Sequence, residues 1–339
     1  MIIGQAPGRA GIIGNPTDGY GGAMIACSIP HQATAVLSPA DNLELVLGDK
    51  KTVIKWESDL KLQDDCFDLA RSILRYFKLK DLKAKIEIKT DIPRQAGMAG
   101  STALLSAILS VIMETLDKKY SRYYFAELNR TIELRYMKTH CGYQDAYMTT
   151  FGGLNFLSFR KKEYYKKLDN EYYAAVEPLA VEKLPLVVAH TGIQHHSGDY
   201  HKPIRERWLE GEKEVVKGYD KITEIAIRGK RALLEGNWEE LGALMNENHQ
   251  IQNSLSYAGD KNNELISTAL ENGALGAKLA GAGGGGTIIA LTLQPEKTRK
   301  ALLNAGADMF IGLDPEADGV TVRKIEEKVK KDIAASSEE

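Results

Sequence analysis

The sequence predicts an α+β fold, and three observations lead to it. Runs rich in β-branched and apolar residues, typical of strands, occur at 24–37, 84–89, 152–159, 185–190 and 286–293. Apolar residues spaced three and four apart predict helices in the intervening segments. Strands dominate the first half and helices follow them, so the regular strand–helix alternation of a parallel doubly wound sheet is absent.

Six helices are predicted, at 65–77, 101–117, 121–137, 203–235, 238–252 and 260–272. The longest begins at Pro203, which suits a first helical turn, and carries Ile204, Trp208 and Val215 along one apolar side. The polar stretch TGIQHHSGDYHK (191–202) precedes it and has the composition of a turn. A chain of 339 residues accommodates two domains, which we place at 1–180 and 181–330.

Composition and charge exclude several classes of function. The 44 Lys and Arg residues against 46 Asp and Glu residues give a net charge of −2, and no basic block marks a nucleic-acid binder. The longest apolar tract, at 103–113, is too short for a membrane span of about 20 residues. Cys27, Cys66 and Cys141 lie at no metal-ligand spacing, which indicates reduced thiols. We therefore expect a cytoplasmic protein with a small-molecule partner, bound to neither nucleic acid nor membrane.

A glycine-rich loop follows the strand at 84–89 and leads into an apolar helix, in DIPRQAGMAGSTALLSAILS (91–110). A loop at the start of a helix presents unpaired N–H groups and the positive end of the helix dipole, so we expect residues 97–102 to bind phosphate. Ser101 and Thr102 either coordinate magnesium or cap the helix, and the residues alone leave both roles open. A Walker loop is excluded because no lysine follows the glycines.

A third glycine stretch, GAKLAGAGGGGTIIALTL (276–293), contains G-x-G-x-x-G at Gly281, Gly283 and Gly286. The dinucleotide fingerprint requires a helix directly after the glycines, whereas TIIALTL predicts a strand. Four consecutive glycines between two strands indicate either a tight hairpin or a backbone that passes close to a ligand or another loop.

Two carboxylates lie between these stretches, in TIELRYMKTHCGYQDAY (131–147). Glu133 ends a helical segment, and Asp145 follows a Cys-Gly turn, where a carboxylate is usually a cap. Phosphoryl transfer requires one carboxylate for a metal ion and one to accept a hydroxyl proton. Glu133 and Asp145 are the candidate pair for these two tasks.

A cluster of histidines with one aspartate raises the alternative of a zinc site, at His190, His195, His196, Asp199 and His201. Their spacing matches no established zinc pattern. We instead expect the polar stretch 191–202 to lie over the substrate as a lid.

Four motifs in this order resemble those of the GHMP small-molecule kinases, the family of galactokinase, homoserine kinase, mevalonate kinase and phosphomevalonate kinase. They are APGRAGIIGNPTDGYGG (6–22), PRQAGMAGSTAL (93–104), CGYQD (141–145) and KLAGAGGGG (278–286). The resemblance implies an N-terminal domain like domain 2 of ribosomal protein S5 and a ferredoxin-like C-terminal domain. It also implies that ATP, with Mg²⁺, is bound between the two domains.

The same resemblance assigns the nucleotide and metal contacts. The ATP phosphates are expected on the loop formed by Gly97, Met98, Ala99, Gly100, Ser101 and Thr102, with Gly283 and Gly284 of the last motif also at the nucleotide. Ser101 and Glu133 match the family's magnesium ligands.

The catalytic and sugar contacts follow from the remaining motifs. Asp145 matches the family's catalytic aspartate, with Arg9 beside it, because a guanidinium favours an ionised carboxylate and stabilises developing charge. Asp18 matches a sugar-binding aspartate, and Asn15 in the same motif is also assigned to substrate binding. The glycines of this motif are expected to bring the backbone close to the sugar.

The identity of the sugar rests on finer similarities. Galactokinases carry Glu-His where this chain has Asn15 and Pro16, which disfavours galactose. GNPTDGYGG, PRQAGMAGSTA and HHSGDYHKPIRERWLEGE resemble regions of the plant-type glucuronokinases, which implies transfer of the γ-phosphoryl of ATP to the anomeric hydroxyl of glucuronate. A uronate carboxylate requires cationic partners, ideally arginine. The candidates are Arg94, His201, Lys202, Arg205 and Arg207.

Three functions remain open at this level. The first is a sugar 1-kinase, for glucuronate or for another sugar such as a heptose phosphate, arabinose or galactose. The second is a kinase for a non-sugar alcohol, against which the presence of Asp18 argues. The third is a non-catalytic sugar or nucleotide sensor of the same fold, which needs neither Glu133 nor Asp145.

Overall fold

The larger of the two sheets has eight strands, seven of them from the N-terminal part of the chain. The computed structural model describes residues 1–162, 173–193, 204–256, 258–281 and 285–325. The strands of this sheet are β1 (Ile2–Ile13), β2 (Ala23–Pro39), β3 (Leu43–Leu47), β4 (Lys50–Ile54), β5 (Ala84–Thr90), β6 (Leu154–Ser158), β7 (Ala175–Pro178) and β12 (Thr321–Lys324). Their order is β12-β1-β2-β5-β3-β4, with β6 paired to β2 and β7. Only β3 and β5, among these pairs, run parallel.

Four helices pack with this sheet, α1 (Asp68–Phe77), α2 (Gly100–Thr115), α3 (Arg122–Thr131) and α4 (Gln144–Phe151). A π-helical turn, Ile132–Tyr136, extends α3. Helix α2 is apolar on nearly every side, and it lies against β1 and β2 in the centre of the core. The predicted strands at 24–37, 84–89 and 152–159 and the helices at 65–77, 101–117 and 121–137 are confirmed within a few residues.

Strand β1 runs through Gly4, Pro7, Gly8 and Gly11, a composition that normally weakens a strand. Its glycines are explained by close packing. A Cβ on Gly8 would lie 2.8 Å from the Met98 carbonyl, and one on Gly11 would lie 2.9 Å from the carbonyl of Ala280. The close approach expected for the sugar is therefore made to two other loops of the protein at these positions.

The smaller sheet has four antiparallel strands, β8 (Leu186–His190), β9 (Gly276–Leu279), β10 (Thr287–Leu291) and β11 (Met309–Ile311). Their spatial order is β11-β8-β10-β9. In chain order this is 4-1-3-2, and helices join the first strand to the second and the third to the fourth, as in a ferredoxin-like fold. The C-terminal half thus has the topology that the resemblance implies.

The helices of this half are α5 (Lys213–Glu235), α6 (Trp238–Leu255), α7 (Asp260–Glu271) and α8 (Pro295–Asn304). The predicted single helix at 203–235 is wrong in one respect, since residues 204–209 are helical but α5 begins only at Lys213. Gly211 lies in the break with a φ of +75°, a conformation that ends a helix. No helix in the described parts of the chain is long and apolar enough to cross a bilayer.

The boundary that we placed at 180 separates β7 from β8, but the end of the chain crosses back over it. The Asp314 N–H donates to the Ser28 carbonyl at 2.8 Å. Strand β12 then pairs antiparallel with β1, with Ile2 opposite Lys324. The last described residues therefore belong to the sheet of the first domain.

Candidate active site

Arg9 and Asp145 form the centre of the site. Arg9 lies on β1 and is 7% exposed, whereas the Asp145 side chain, in the first turn of α4, is 35% exposed. The Arg9 Nε donates to Asp145 Oδ1 at 2.7 Å, and Nη2 lies 2.5 Å from the same oxygen. The Arg9 Nη1 donates to the Gly97 carbonyl. One buried guanidinium therefore joins the carboxylate to the glycine-rich loop at 97–102.

The 97–102 loop has a backbone suited to anions. Gln95, Gly97 and Ala99 have φ values of 53°, 73° and 60°, so left-handed residues alternate along it. Ala99 is the N-cap of α2 and makes no side-chain capping hydrogen bond. Alternating left-handed residues produce concave arrays of N–H groups, and here the array joins the N-terminus of a 16-residue helix.

Two carbonyls of this segment are turned toward the protein. The Met98 carbonyl accepts from the Arg9 N–H at 3.1 Å. The Ala96 carbonyl accepts from the Thr287 hydroxyl at 2.8 Å. These bonds hold the loop to strands of both sheets.

Glu133 lies in the π-helical turn and is 6% exposed. The hydroxyl of Thr102 lies 3.3 Å and 3.2 Å from its two carboxylate oxygens. Burial, followed by the charge of Asp145, raises the pKa of Glu133 to about 7. Such π-helical turns occur frequently at functional sites, and this one brings the two predicted carboxylates close enough to interact.

Ser101, predicted with Glu133 as a metal ligand, is exposed on the first turn of α2. The hydroxyl that contacts Glu133 is that of Thr102, which is 1% exposed. Magnesium is usually held by one or two carboxylates together with phosphate oxygens. The described residues contain no cluster of three or more His, Cys, Asp or Glu that could hold a metal ion by themselves.

Asp18 acts on the helix that carries Asp145. Its Oδ2 accepts from the N–H groups of Tyr143 at 2.7 Å and Gln144 at 2.9 Å, at the start of α4. A Cβ on Gly142 would lie 1.9 Å from this oxygen, so only glycine allows the approach. The carboxylate assigned to the sugar therefore also caps the helix, a role that the sequence pattern did not indicate.

Gly281, in the third glycine stretch, packs against the 97–102 loop. A Cβ on Gly281 would lie 3.5 Å from Gly97, and the Ala280 carbonyl accepts from the Gly11 N–H at 3.2 Å. Strands β9 and β10 are antiparallel neighbours, and Ala280 and Gly281, directly after β9, pass close to other loops of the protein. Gly283 and Gly284 lie outside the described residues.

Asn15 is 2% exposed, and its side chain bonds to the protein. Its Oδ1 accepts from Lys278 Nζ at 2.6 Å, and its Nδ2 lies 3.4 Å from the carbonyls of Leu279 and Gly281. A substrate contact of this amide would have to replace one of these bonds. Lys278 was not predicted as a site residue, although a lone lysine within an apolar strand is a signal of a buried contact.

Only some of the candidate partners of a uronate carboxylate lie within the described residues. Arg94 is exposed between β5 and α2, and Arg205 is half-buried in the helical segment 204–209. Arg207 is paired to Glu212, with Nε 2.7 Å from Oε2, and its Nη1 donates to the Leu255 carbonyl at 2.8 Å. His201 and Lys202 lie outside the described residues, as do His195, His196 and Asp199 of the alternative zinc site.

An aromatic cluster next to Asp18 was also not predicted. The ring of Tyr20 lies 5.2 Å from that of Trp208 and 4.5 Å from that of Tyr219, measured between centroids. Burial is the main cause that raises the pKa of Tyr219, to which the charge of Asp18 contributes. The cluster joins the first motif to α5 and to the segment before it.

Comparisons with known proteins identify related sequences for both halves of the chain. Residues 67–153 match the family model described as the GHMP kinases N terminal domain, and residues 230–311 match that described as GHMP kinases C terminal. The chain is 28% identical over 299 residues to "Probable glucuronokinase 2" of Arabidopsis thaliana, covering 81% of each chain. It is 25% identical over 351 residues to "Mevalonate kinase" of Pyrococcus abyssi, covering 96% of this chain and 99% of the relative.

A solved structure supports the fold. The crystal structure of a D-glycero-D-manno-heptose 1-phosphate kinase from Bacteriodes thetaiotaomicron superposes with a TM-score of 0.73 at 23% identity, covering 96% of this chain and 100% of that one. Both domain models, the relatives and the topology of both sheets agree with the four ordered motifs. The chain belongs to the GHMP kinase family.

Proposed function

We propose that this kinase transfers the γ-phosphoryl group of ATP to the anomeric hydroxyl of glucuronate, giving glucuronate 1-phosphate and ADP. The observation that carries the proposal is the bonding of Arg9 to both Asp145 and the Gly97 carbonyl. This contact puts a partly exposed carboxylate next to a loop suited to phosphate, the arrangement that phosphoryl transfer requires.

Asp145 acts as the base in this proposal. The anomeric O–H donates its proton to the carboxylate as its oxygen forms a bond to the γ-phosphorus, and the bond from that phosphorus to the bridging oxygen of ADP breaks. Arg9 orients the carboxylate and stabilises negative charge that develops at the reacting oxygens. The N–H groups of the 97–102 loop, with the dipole of α2, hold the phosphates.

A magnesium ion held by Glu133 and Ser101 would offset the charge of the phosphate oxygens. Thr102 then orients Glu133 through the hydrogen bond to its carboxylate. Such a site is completed by phosphate and water ligands, which fits the small number of protein ligands available there.

Asp18 contributes its second oxygen to the substrate in this proposal. Because Oδ2 is fixed by the N-terminus of α4, the direction of Oδ1 is also fixed, and Oδ1 is the atom proposed to accept a sugar hydroxyl. Arg94 and Arg205 are the described candidates for the uronate carboxylate, with His201 and Lys202 from the preceding stretch.

Mevalonate is a second candidate substrate, favoured by a similarity that extends over 96% of this chain. Glucuronate and mevalonate both carry a carboxylate and a free hydroxyl, so one cationic group would serve either. A neutral sugar such as galactose or arabinose lacks this charge. A heptose 7-phosphate, like glucuronate, carries its anionic group at the opposite end from the anomeric carbon, but that group is a phosphate and not a carboxylate.

The test is a coupled ADP-release assay over glucuronate, galacturonate, mevalonate, galactose, arabinose and heptose 7-phosphate, with Mg²⁺ and ATP. We expect glucuronate to give the highest kcat/KM. Asp145→Asn should abolish most of the ADP release with glucuronate, while the protein still binds ATP. A higher kcat/KM for mevalonate would transfer the assignment to the second candidate. A higher value for a neutral sugar would overturn the role of the cationic partners.

A further inference from the structure

Lys278 is a fully buried lysine on β9, and no carboxylate pairs with it among the described residues. Its Nζ donates to Asn15 Oδ1 at 2.6 Å and to the Leu279 carbonyl. Burial, followed by the charge of Arg9, lowers the pKa of Lys278 to about 7. An ammonium group removed from water without an acidic partner destabilises a fold, so packing alone does not explain this residue.

Asn15 links Lys278 to further residues by hydrogen bonds. Its Nδ2 lies 3.4 Å from the Gly281 carbonyl, and its own carbonyl accepts from the Asn248 amide at 3.3 Å. The Gly281 carbonyl also accepts from Gln252 Nε2 at 3.3 Å. Side chains of β9 and α6 thus fix the turn after β1 and Gly281 in one buried network.

This network ends at the 97–102 loop. Gly281 lies against Gly97, and Gly97 is in turn the acceptor for the Arg9 guanidinium. The Thr287 hydroxyl bonds to the Ala96 carbonyl on the same side. Lys278 is therefore connected to the loop through two intervening residues, Asn15 and Gly281.

We propose that Lys278 is a positioning residue of the nucleotide site, which acts through Asn15 to hold Gly281 against the 97–102 loop. The proposal rests on the proposed binding of ATP at that loop. It assigns Lys278 to nucleotide affinity and leaves the chemical step to Asp145 and Arg9. The buried charge is then partly balanced when an anionic ligand binds nearby, so its destabilising effect is greatest in the free protein.

Lys278→Met tests the proposal, because methionine has a similar length and needs no partner. We expect the dissociation constant of a non-hydrolysable ATP analogue with Mg²⁺, measured by calorimetry, to rise at least 10-fold. The melting temperature of the free protein should stay equal or rise. In the assay, KM for ATP should increase by the same factor while kcat changes less than 3-fold. Lys300→Met, on the exposed face of α8, is the matched control and should leave all four quantities unchanged.

Asn15→Ala provides a second, independent variant. It should raise the dissociation constant of the ATP analogue by a similar factor. The double variant Lys278→Met, Asn15→Ala should bind the analogue no more weakly than the weaker-binding of the two single variants. Additive losses, or full affinity in a folded Lys278→Met protein, would overturn the inference. A fall in melting temperature with unchanged affinity would assign Lys278 to folding alone. If the unmodified protein does not bind the analogue, the proposed function fails instead.

Discussion

Asp18 Oδ2 accepts a hydrogen bond from the N–H of Tyr143, 2.7 Å away and two residues before Asp145. The bond joins the turn after β1 to the N-terminus of the helix that carries the proposed base. Arg9, on β1 itself, holds the same helix through Asp145. The two ends of the first motif therefore position one carboxylate from two directions.

Asp18→Ala should reduce both stability and turnover. Loss of the acceptor leaves two N–H groups at the start of α4 unsatisfied, and we expect a decrease of about 1–2 kcal/mol in the free energy of unfolding by urea. Asp18→Asn keeps an acceptor oxygen and should retain most of the stability while it still reduces kcat/KM for the sugar. An Asp18→Ala protein of unchanged stability would contradict the capping role.

Asp145→Asn should leave ATP and sugar binding nearly intact and lower kcat by a factor on the order of 10² or more, because the amide cannot accept the hydroxyl proton. Calorimetry with the ATP analogue checks binding, and single-turnover kinetics check the chemical step. Asp41→Asn, at an exposed position, is the matched control. Equal turnover in Asp145→Asn would remove the proposed base.

Ser101→Ala and Thr102→Val should have different effects, since only Thr102 bonds to Glu133. We expect Ser101→Ala to raise the Mg²⁺ concentration for half-maximal activity while stability is retained. Thr102→Val removes a buried hydroxyl from a carboxylate and should lower the free energy of unfolding by about 1–3 kcal/mol. Titration of Mg²⁺ and urea unfolding separate the two effects. The reverse pattern would identify Thr102 as the metal ligand.

Lys278 should make stability depend on pH above neutrality. Its pKa is about 7 in the folded protein, against 10.5 as the ordinary value, because of burial and the charge of Arg9. Between these pH values the unfolded chain binds the proton and the folded protein does not, so stability increases with pH by up to about 1.4 kcal/mol per unit. Lys278→Met removes this contribution.

The difference in unfolding free energy between Lys278→Met and the unmodified protein should thus be largest near pH 7 and shrink toward pH 10. Urea unfolding at pH 7, 8 and 9 measures it. The neighbouring His249 contributes little in this range, since burial and the charge of Lys278 lower its pKa to about 4. A difference that is constant with pH would contradict a buried, proton-releasing lysine.

Local pattern was sufficient for most helices and for the 97–102 loop. The loop was predicted because a strand, small residues and an apolar helix follow one another within 32 residues, and each is predicted from neighbours in the chain. Strand β1 was not predicted, because Gly4, Gly8 and Gly11 locally disfavour a strand. Pairing with β2 and close contact with α2 stabilise the strand instead. Strand β12 is likewise determined by a partner at the other end of the chain.

Site residues that lie within a motif were predictable, whereas contacts between residues far apart in the sequence were not. Glu133 and Asp145 were paired from the chemistry of phosphoryl transfer, and the family resemblance then gave their separate roles and added Arg9. The hydrogen bond from Tyr143 to Asp18 joins two motifs of the first domain, and the buried bond of Lys278 to Asn15 joins the two domains, so no single motif encodes either contact. A lone charged residue in an apolar strand indicates that such a contact exists, but its partner is found only in three dimensions.

The most direct test of the central claim is a crystal structure with glucuronate and a non-hydrolysable ATP analogue. We predict phosphate oxygens on the N–H groups of the 97–102 loop, and the anomeric hydroxyl within about 3 Å of the Asp145 carboxylate. A nucleotide bound elsewhere, or a γ-phosphate on the far side of the loop from Asp145, would contradict the account.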